Sequence, residues 1–201
     1  MNLKEEILLA KAALLNDGVV AFPTETVMGL GVLFNSEKAY SKLNKVKERP
    51  EDKPYTLMLK GVEDIQKYGV ISEATRRVID KFMPGSLTIL VPVKDNTVPS
   101  YVTHNTRVIG MRVPTNKEAL ELLKAVELPL LVPSANKSGQ KPAYNSDEVK
   151  KIFGNELDFI VSGSAKSNVP STIVDLTKGD VRIIREGAIS KTGLEKVFYN
   201  K

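Results

Sequence analysis

Short apolar runs alternate with capped, amphipathic stretches from one end of the chain to the other, with no linker between them. That alternation narrows the fold more than any other feature, because it selects an α/β architecture over a helical bundle or a β-sandwich. The spacing predicts a first helix over residues 3–16, capped by Asn2 and stopped by Gly18. Ser36, Ser72, Asn116, Ser146 and Ser190 each stand where a side-chain cap begins a further helix. Between the helices, residues 19–22, 55–59, 87–93, 107–113, 128–133, 158–161, 171–176 and 181–186 read as strands. The pattern implies a single domain over residues 1–201 with a largely continuous sheet.

Composition removes several classes of chemistry. The 201 residues include no cysteine and one histidine, His104, so a thiolate nucleophile, a Cys-based zinc site and a His-pair metal site are all excluded. His104 lies in a Thr/Asn-rich loop and reads as a surface residue rather than a catalytic base. No apolar run approaches the roughly 20 residues of a membrane span, and the start lacks a signal-peptide pattern. A cytoplasmic protein with no membrane contact is the expectation. Net charge is +5, which favours anionic partners such as nucleotides or RNA without requiring them.

Common signatures are missing as well. No Gly-Lys dipeptide occurs, so there is no Walker A loop. Gly29-Leu30-Gly31 opens like a dinucleotide fingerprint, but Phe34 stands where a third glycine is required. An enzyme built from this chain works mainly by positioning and electrostatics.

Four constellations remain. Lys47 and Arg49 flank Glu48 where the second helix fails before Pro50. In an extended exit segment both cations would share one side of the chain and suit a polyphosphate; as a helix end they would merely complement the macrodipole. Ser134 and Asn136 follow a buried strand and can present a hydroxyl and an amide to one ligand, or form an ordinary turn. Thr24 and Thr26 leave another buried strand; they can hold an amino acid or a phosphate, or cap a turn. Arg112 sits in an apolar strand, so it needs an anion, a carboxylate or an exposed edge. Ser171, ahead of a strand, and Arg185, at the end of one, are by themselves unremarkable surface features.

Taken in order, the blocks AFPTETVMGLG (21–31), KERPEDKPYTLML (47–59), FMPGSLTILV (82–91), IGMRVPTN (109–116), PLLVPSANKSGQKP (129–142), VPSTIVDLT (169–177) and IIREGAIS (183–190) resemble the YrdC-type threonylcarbamoyl-AMP synthase family. The resemblance covers essentially the whole chain and matches the short branch, without the additional C-terminal domain of some members. It implies a twisted mixed sheet flanked by helices around a concave basic groove. It also implies synthesis of threonylcarbamoyl-adenylate and pyrophosphate from L-threonine, bicarbonate and ATP. A partner tRNA-modifying transferase would then place the group on adenosine 37 of tRNA. By the same resemblance Lys47, Arg49, Ser134 and Asn136 are catalytic and bind ATP, with Pro142 and Arg185 supporting. Thr24, Met58, Arg112 and Ser171 bind threonine, Arg112 pairing its carboxylate. Mg²⁺ would accompany the triphosphate, held mostly by phosphate oxygens and water.

Three positions depart from the family pattern: Met28 replaces a Tyr, Met58 stands where many members have His, and Met83 replaces a Trp. The 136–144 loop, NKSGQKPAY, which includes Ala143, also differs from the Ser-Pro-containing form usual in the family. The second reading is an RNA-binding module, for tRNA or double-stranded RNA, that uses the same groove without adenylation. The low aromatic content, 6%, argues against a reader of single strands.

Overall fold

A computed structural model describes residues 1–49 and 54–201. The helices are α1 (Leu3–Leu15), α2 (Glu37–Lys47), α3 (Ile65–Tyr68), α4 (Glu73–Phe82), α5 (Ser100–Thr103), α6 (Lys117–Val126), α7 (Ser146–Phe153) and α8 (Lys191–Phe198). The strands are β1 (Val20–Phe22), β2 (Gly29–Leu33), β3 (Thr56–Met58), β4 (Leu87–Pro92), β5 (Val108–Arg112), β6 (Leu130–Leu131), β7 (Phe159–Ile160), β8 (Thr172–Asp175) and β9 (Arg182–Arg185).

The helix starts follow from capping chemistry. Asn2 accepts from the Glu5 amide at 3.1 Å and Glu5 returns the bond, a reciprocal capping box. Ser36, Ser72, Asn116 and Ser190 likewise accept from the third residue beyond them. The cap of α7 is Asn145, one residue earlier than the sequence suggests; its side chain takes the Glu148 amide and Ser146 becomes the first helical residue.

All nine strands among the described residues belong to one mixed sheet, ordered β7-β1-β2-β6-β3-β5-β4-β8-β9. Pairs β1/β7, β3/β5 and β4/β8 are parallel and the other five antiparallel. Strand β2 is absent from the sequence reading because its Gly-rich, wholly buried run shows no alternation. Its glycines make room for neighbours: a Cβ at Gly31 would lie 2.7 Å from the Phe22 ring, and one at Gly29 2.9 Å from Val132.

Successive strand residues serve opposite faces, as the pleat demands. Val20, Phe22, Met58 and Leu130 join the apolar cluster that holds α1 and α6. Ala21, Leu57 and Leu131 join the larger cluster that holds α2, α4 and α8. Met83 belongs to that larger core. Among the described residues no helix is long and apolar enough to cross a membrane.

Candidate ligand-binding hollow

Strand ends and the loops that follow them frame a hollow of about 150 Å³, open on one side. Thr24, Thr26, Met28, Arg49, Tyr55, Met58, Thr88, Arg112, Ser134, Ser171 and Arg185 contribute to its wall. Every charged side chain among the described lining residues is an arginine.

The Lys-x-Arg and Ser-x-Asn segments meet in space, 87 residues apart in the chain. They do not, however, face the hollow together. Lys47 closes α2 and Glu48 caps it in a left-handed conformation, φ 50°, so Lys47 and Arg49 leave the backbone differently rather than as neighbours on an extended strand. This corrects the expected extended clamp; Pro50 lies outside the described residues. The Lys47 side chain is 1% exposed and lies behind the wall. Its ammonium donates to the carbonyls of Ser134 (2.6 Å) and Asn136 (2.7 Å) and to Asn136 Oδ1 (3.3 Å). An ammonium has three protons, and here each has an acceptor in the 134–136 loop. The Lys47 carbonyl completes the join by accepting from the Ser138 amide at 2.8 Å. Burial first, and the nearby Arg49 charge second, pull the Lys47 pKa down to about 7.

Asn136 also stands behind the wall. Its amide nitrogen donates to the carbonyls of Lys137 and Gln140, and its oxygen accepts from the Ser134 hydroxyl at 2.6 Å. Ser134 and Arg49 are the two members of the set that reach the hollow. Arg49 stacks over the Tyr55 ring, 4.7 Å from its centroid, and donates to the Pro54 carbonyl. Pro142 is half-buried and outside the lining, while Ala143 is buried and pairs its backbone with Met28 and Ala135.

A second group surrounds Arg112 at the end of β5. Arg112 and Glu25 form a buried ion pair, 6% and 9% exposed, so that of an anion, a carboxylate or an exposed edge the strand position is met by a carboxylate of the chain itself. Thr26 Oγ1 accepts from the same guanidinium at 2.9 Å, and the Thr115 amide donates to the other Glu25 oxygen. Thr24 turns its hydroxyl inward to the Val27 carbonyl at 2.7 Å, within 3.0 Å of the Thr26 hydroxyl. Arg112 Nε is buried with no hydrogen-bond partner. A buried orphan donor is costly, and a ligand acceptor in the adjoining hollow would relieve it.

Arg185 grips Ser171 through its carbonyl (2.9 Å) and hydroxyl (3.1 Å), and Ser171 in turn meets Thr88 at 3.1 Å. Arg185 therefore stands with the Arg112 group. Burial first, and the Arg112 charge second, lower its pKa. Gly187 permits this arrangement: a Cβ there would lie 2.3 Å from the Pro170 carbonyl oxygen. Met28 and Met58 both line the hollow.

Glu25, Tyr55 and Thr88 escaped the sequence reading. Thr88 leaves one signal, a polar residue inside an otherwise apolar strand. His104 is half-buried rather than on the surface, hydrogen-bonded to the Tyr40 hydroxyl at 3.0 Å and away from the hollow.

Known proteins place this geometry in a family. The chain is 31% identical to threonylcarbamoyl-AMP synthase of Pyrococcus abyssi over 98% of its length, and covers 60% of that protein. It is 31% identical to threonylcarbamoyl-AMP synthase of Klebsiella pneumoniae, covering 91% of this chain and 96% of the relative. Among solved structures, P. abyssi Sua5 complexed with L-threonine superposes with a TM-score of 0.91 at 30% identity, over 98% of this chain and 58% of that one. The chain thus spans about three-fifths of the Pyrococcus protein. The Sua5/YciO/YrdC model, described as "Telomere recombination", matches residues 12–187, and the chain belongs to that family.

Proposed function

We propose that this protein is an L-threonylcarbamoyladenylate synthase. It would take L-threonine, bicarbonate and ATP in the cytoplasm and release pyrophosphate. A tRNA-modifying transferase would use the product. One observation carries the reading: Arg49 with Ser134, and Arg112 with Ser171 and Arg185, open onto the same hollow. Two anions must be brought together for this reaction, a carboxylated amine and a triphosphate.

The chemistry is positioning work. The threonine amine forms a C–N bond to the bicarbonate carbon, a bicarbonate C–O bond breaks, and water leaves, giving a carbamate. A carbamate oxygen then attacks the α-phosphorus, the bond to the bridging oxygen breaks, and pyrophosphate leaves. Arg112 Nε–H would donate to the threonine carboxylate, its missing acceptor, and Ser171, steadied by Arg185, would face the same substrate. Arg49 would take phosphate charge and Ser134 would meet the nucleotide. Mg²⁺ would arrive on the triphosphate; the described lining offers hydroxyls and no carboxylate, which suits an ion held by phosphate and water. Among the described lining residues only Tyr55 is aromatic, which gives RNA bases little to stack on.

Incubating the pure protein with ATP, bicarbonate and Mg²⁺ should yield pyrophosphate only when threonine is added. Pyrophosphate no greater than in the threonine-free blank would end this reading.

A further inference from the structure

We infer that Lys47 is a positioning residue, fastening the loop that presents Ser134 to the hollow and making no contact with phosphate itself. The inference rests on the synthase reading only in calling the ligand of that loop a nucleotide.

Three observations converge. Lys47 is nearly inaccessible and is not part of the wall. Its three protons are matched by three acceptors, all on Ser134 and Asn136. Its own carbonyl accepts from Ser138, so side chain and backbone hold the loop at two points. Asn136 works from the other side, taking the carbonyls of Lys137 and Gln140 and the hydroxyl proton of Ser134. Lys47 and Asn136 together tie a knot behind the wall, and Ser134 is the part that shows. Reaching a phosphate would require the ammonium to abandon both backbone carbonyls, of which Ser134's keeps the Asn136 amide while Asn136's loses its donor.

Arg49, two residues on, lines the hollow and provides the internal contrast. A guanidinium can replace an ammonium on a phosphate, but its planar fork does not fit a closed three-carbonyl socket. Conservative exchanges therefore separate the two roles.

The experiment compares Lys47→Met, Lys47→Arg, Arg49→Lys and Arg49→Ala. Amide hydrogen exchange is measured without ligand, and ATP binding by calorimetry without threonine. Loop fastening predicts at least about tenfold faster exchange at Ala135, Ser138 and Ala143 in both Lys47 variants, with the β4 and β5 amides unchanged. Neither Arg49 variant should alter loop exchange. Lys47→Arg should rescue nothing, whereas Arg49→Lys should keep part of the ATP affinity. Unchanged loop exchange in Lys47→Met together with lost ATP binding would overturn the proposal, as would restored ATP binding in Lys47→Arg. A wild-type protein lacking threonine-dependent pyrophosphate release would defeat the synthase reading and leave the exchange result standing.

Discussion

Arg112 shows how one side chain constrains a region. Its pairing with Glu25 is buried, and removing one partner strands the other charge. Glu25→Ala should therefore cost about 3–5 kcal/mol, a fall in Tm of roughly 10 °C by calorimetry. A loss below about 1 kcal/mol would show that the pair is not what holds Arg112. The sequence announces that Arg112 needs an anion, a carboxylate or an exposed edge; it cannot say which, because Glu25 is 87 residues away and only the fold joins them. Lys47 makes a different demand. Its pKa falls from 10.5 to about 7 on folding. Between those values the unfolded chain holds a proton that the folded one has released, so this group's penalty is full below pH 7 and fades as pH rises. The stability of wild type relative to Lys47→Met, from urea unfolding, should grow by up to about 1.4 kcal/mol per pH unit across that window. A difference that shrinks or stays flat from pH 7 to 10 would mean that burial does not set this titration.

Elements were more legible than their company. Five helix starts were readable from caps because capping is local, settled by a side-chain oxygen and an amide three residues on. Strand β2 was not, because its glycines answer to Phe22 and Val132 across the sheet and carry no periodic signal of their own. Strand β9 shows the same dependence in reverse. Its pattern marks it as a strand, yet Arg185 comes to Ser171 only because Gly187 lets the backbone close on Pro170. Gly187→Ala should force that junction apart. The expected outcome is a loss of about 1–3 kcal/mol on urea unfolding and a rise in the KM for threonine greater than that for ATP. Equal effects on both substrates would place the junction outside the amino-acid end of the hollow.

The whole molecule assembles its charge from segments the chain keeps far apart. The sheet order runs β6-β3-β5-β4-β8-β9, so arginines from the exit of α2, the end of β5 and the end of β9 reach one hollow. A net charge of +5 over 201 residues gives no hint of this focus; the topology creates it. Charges held inside a concave wall act together on an incoming polyanion, and salt screens that action over about 10 Å at 0.1 M. Raising KCl from about 50 to 500 mM should therefore weaken ATP binding several-fold. Threonine, a zwitterion whose carboxylate would meet buried Arg112 directly, should lose much less, because buried contacts are poorly screened. Calorimetric titrations of each ligand at both salt levels test this contrast. An ATP affinity indifferent to salt would mean that the three guanidiniums are neutralised by their own neighbours and exert no common pull on the nucleotide.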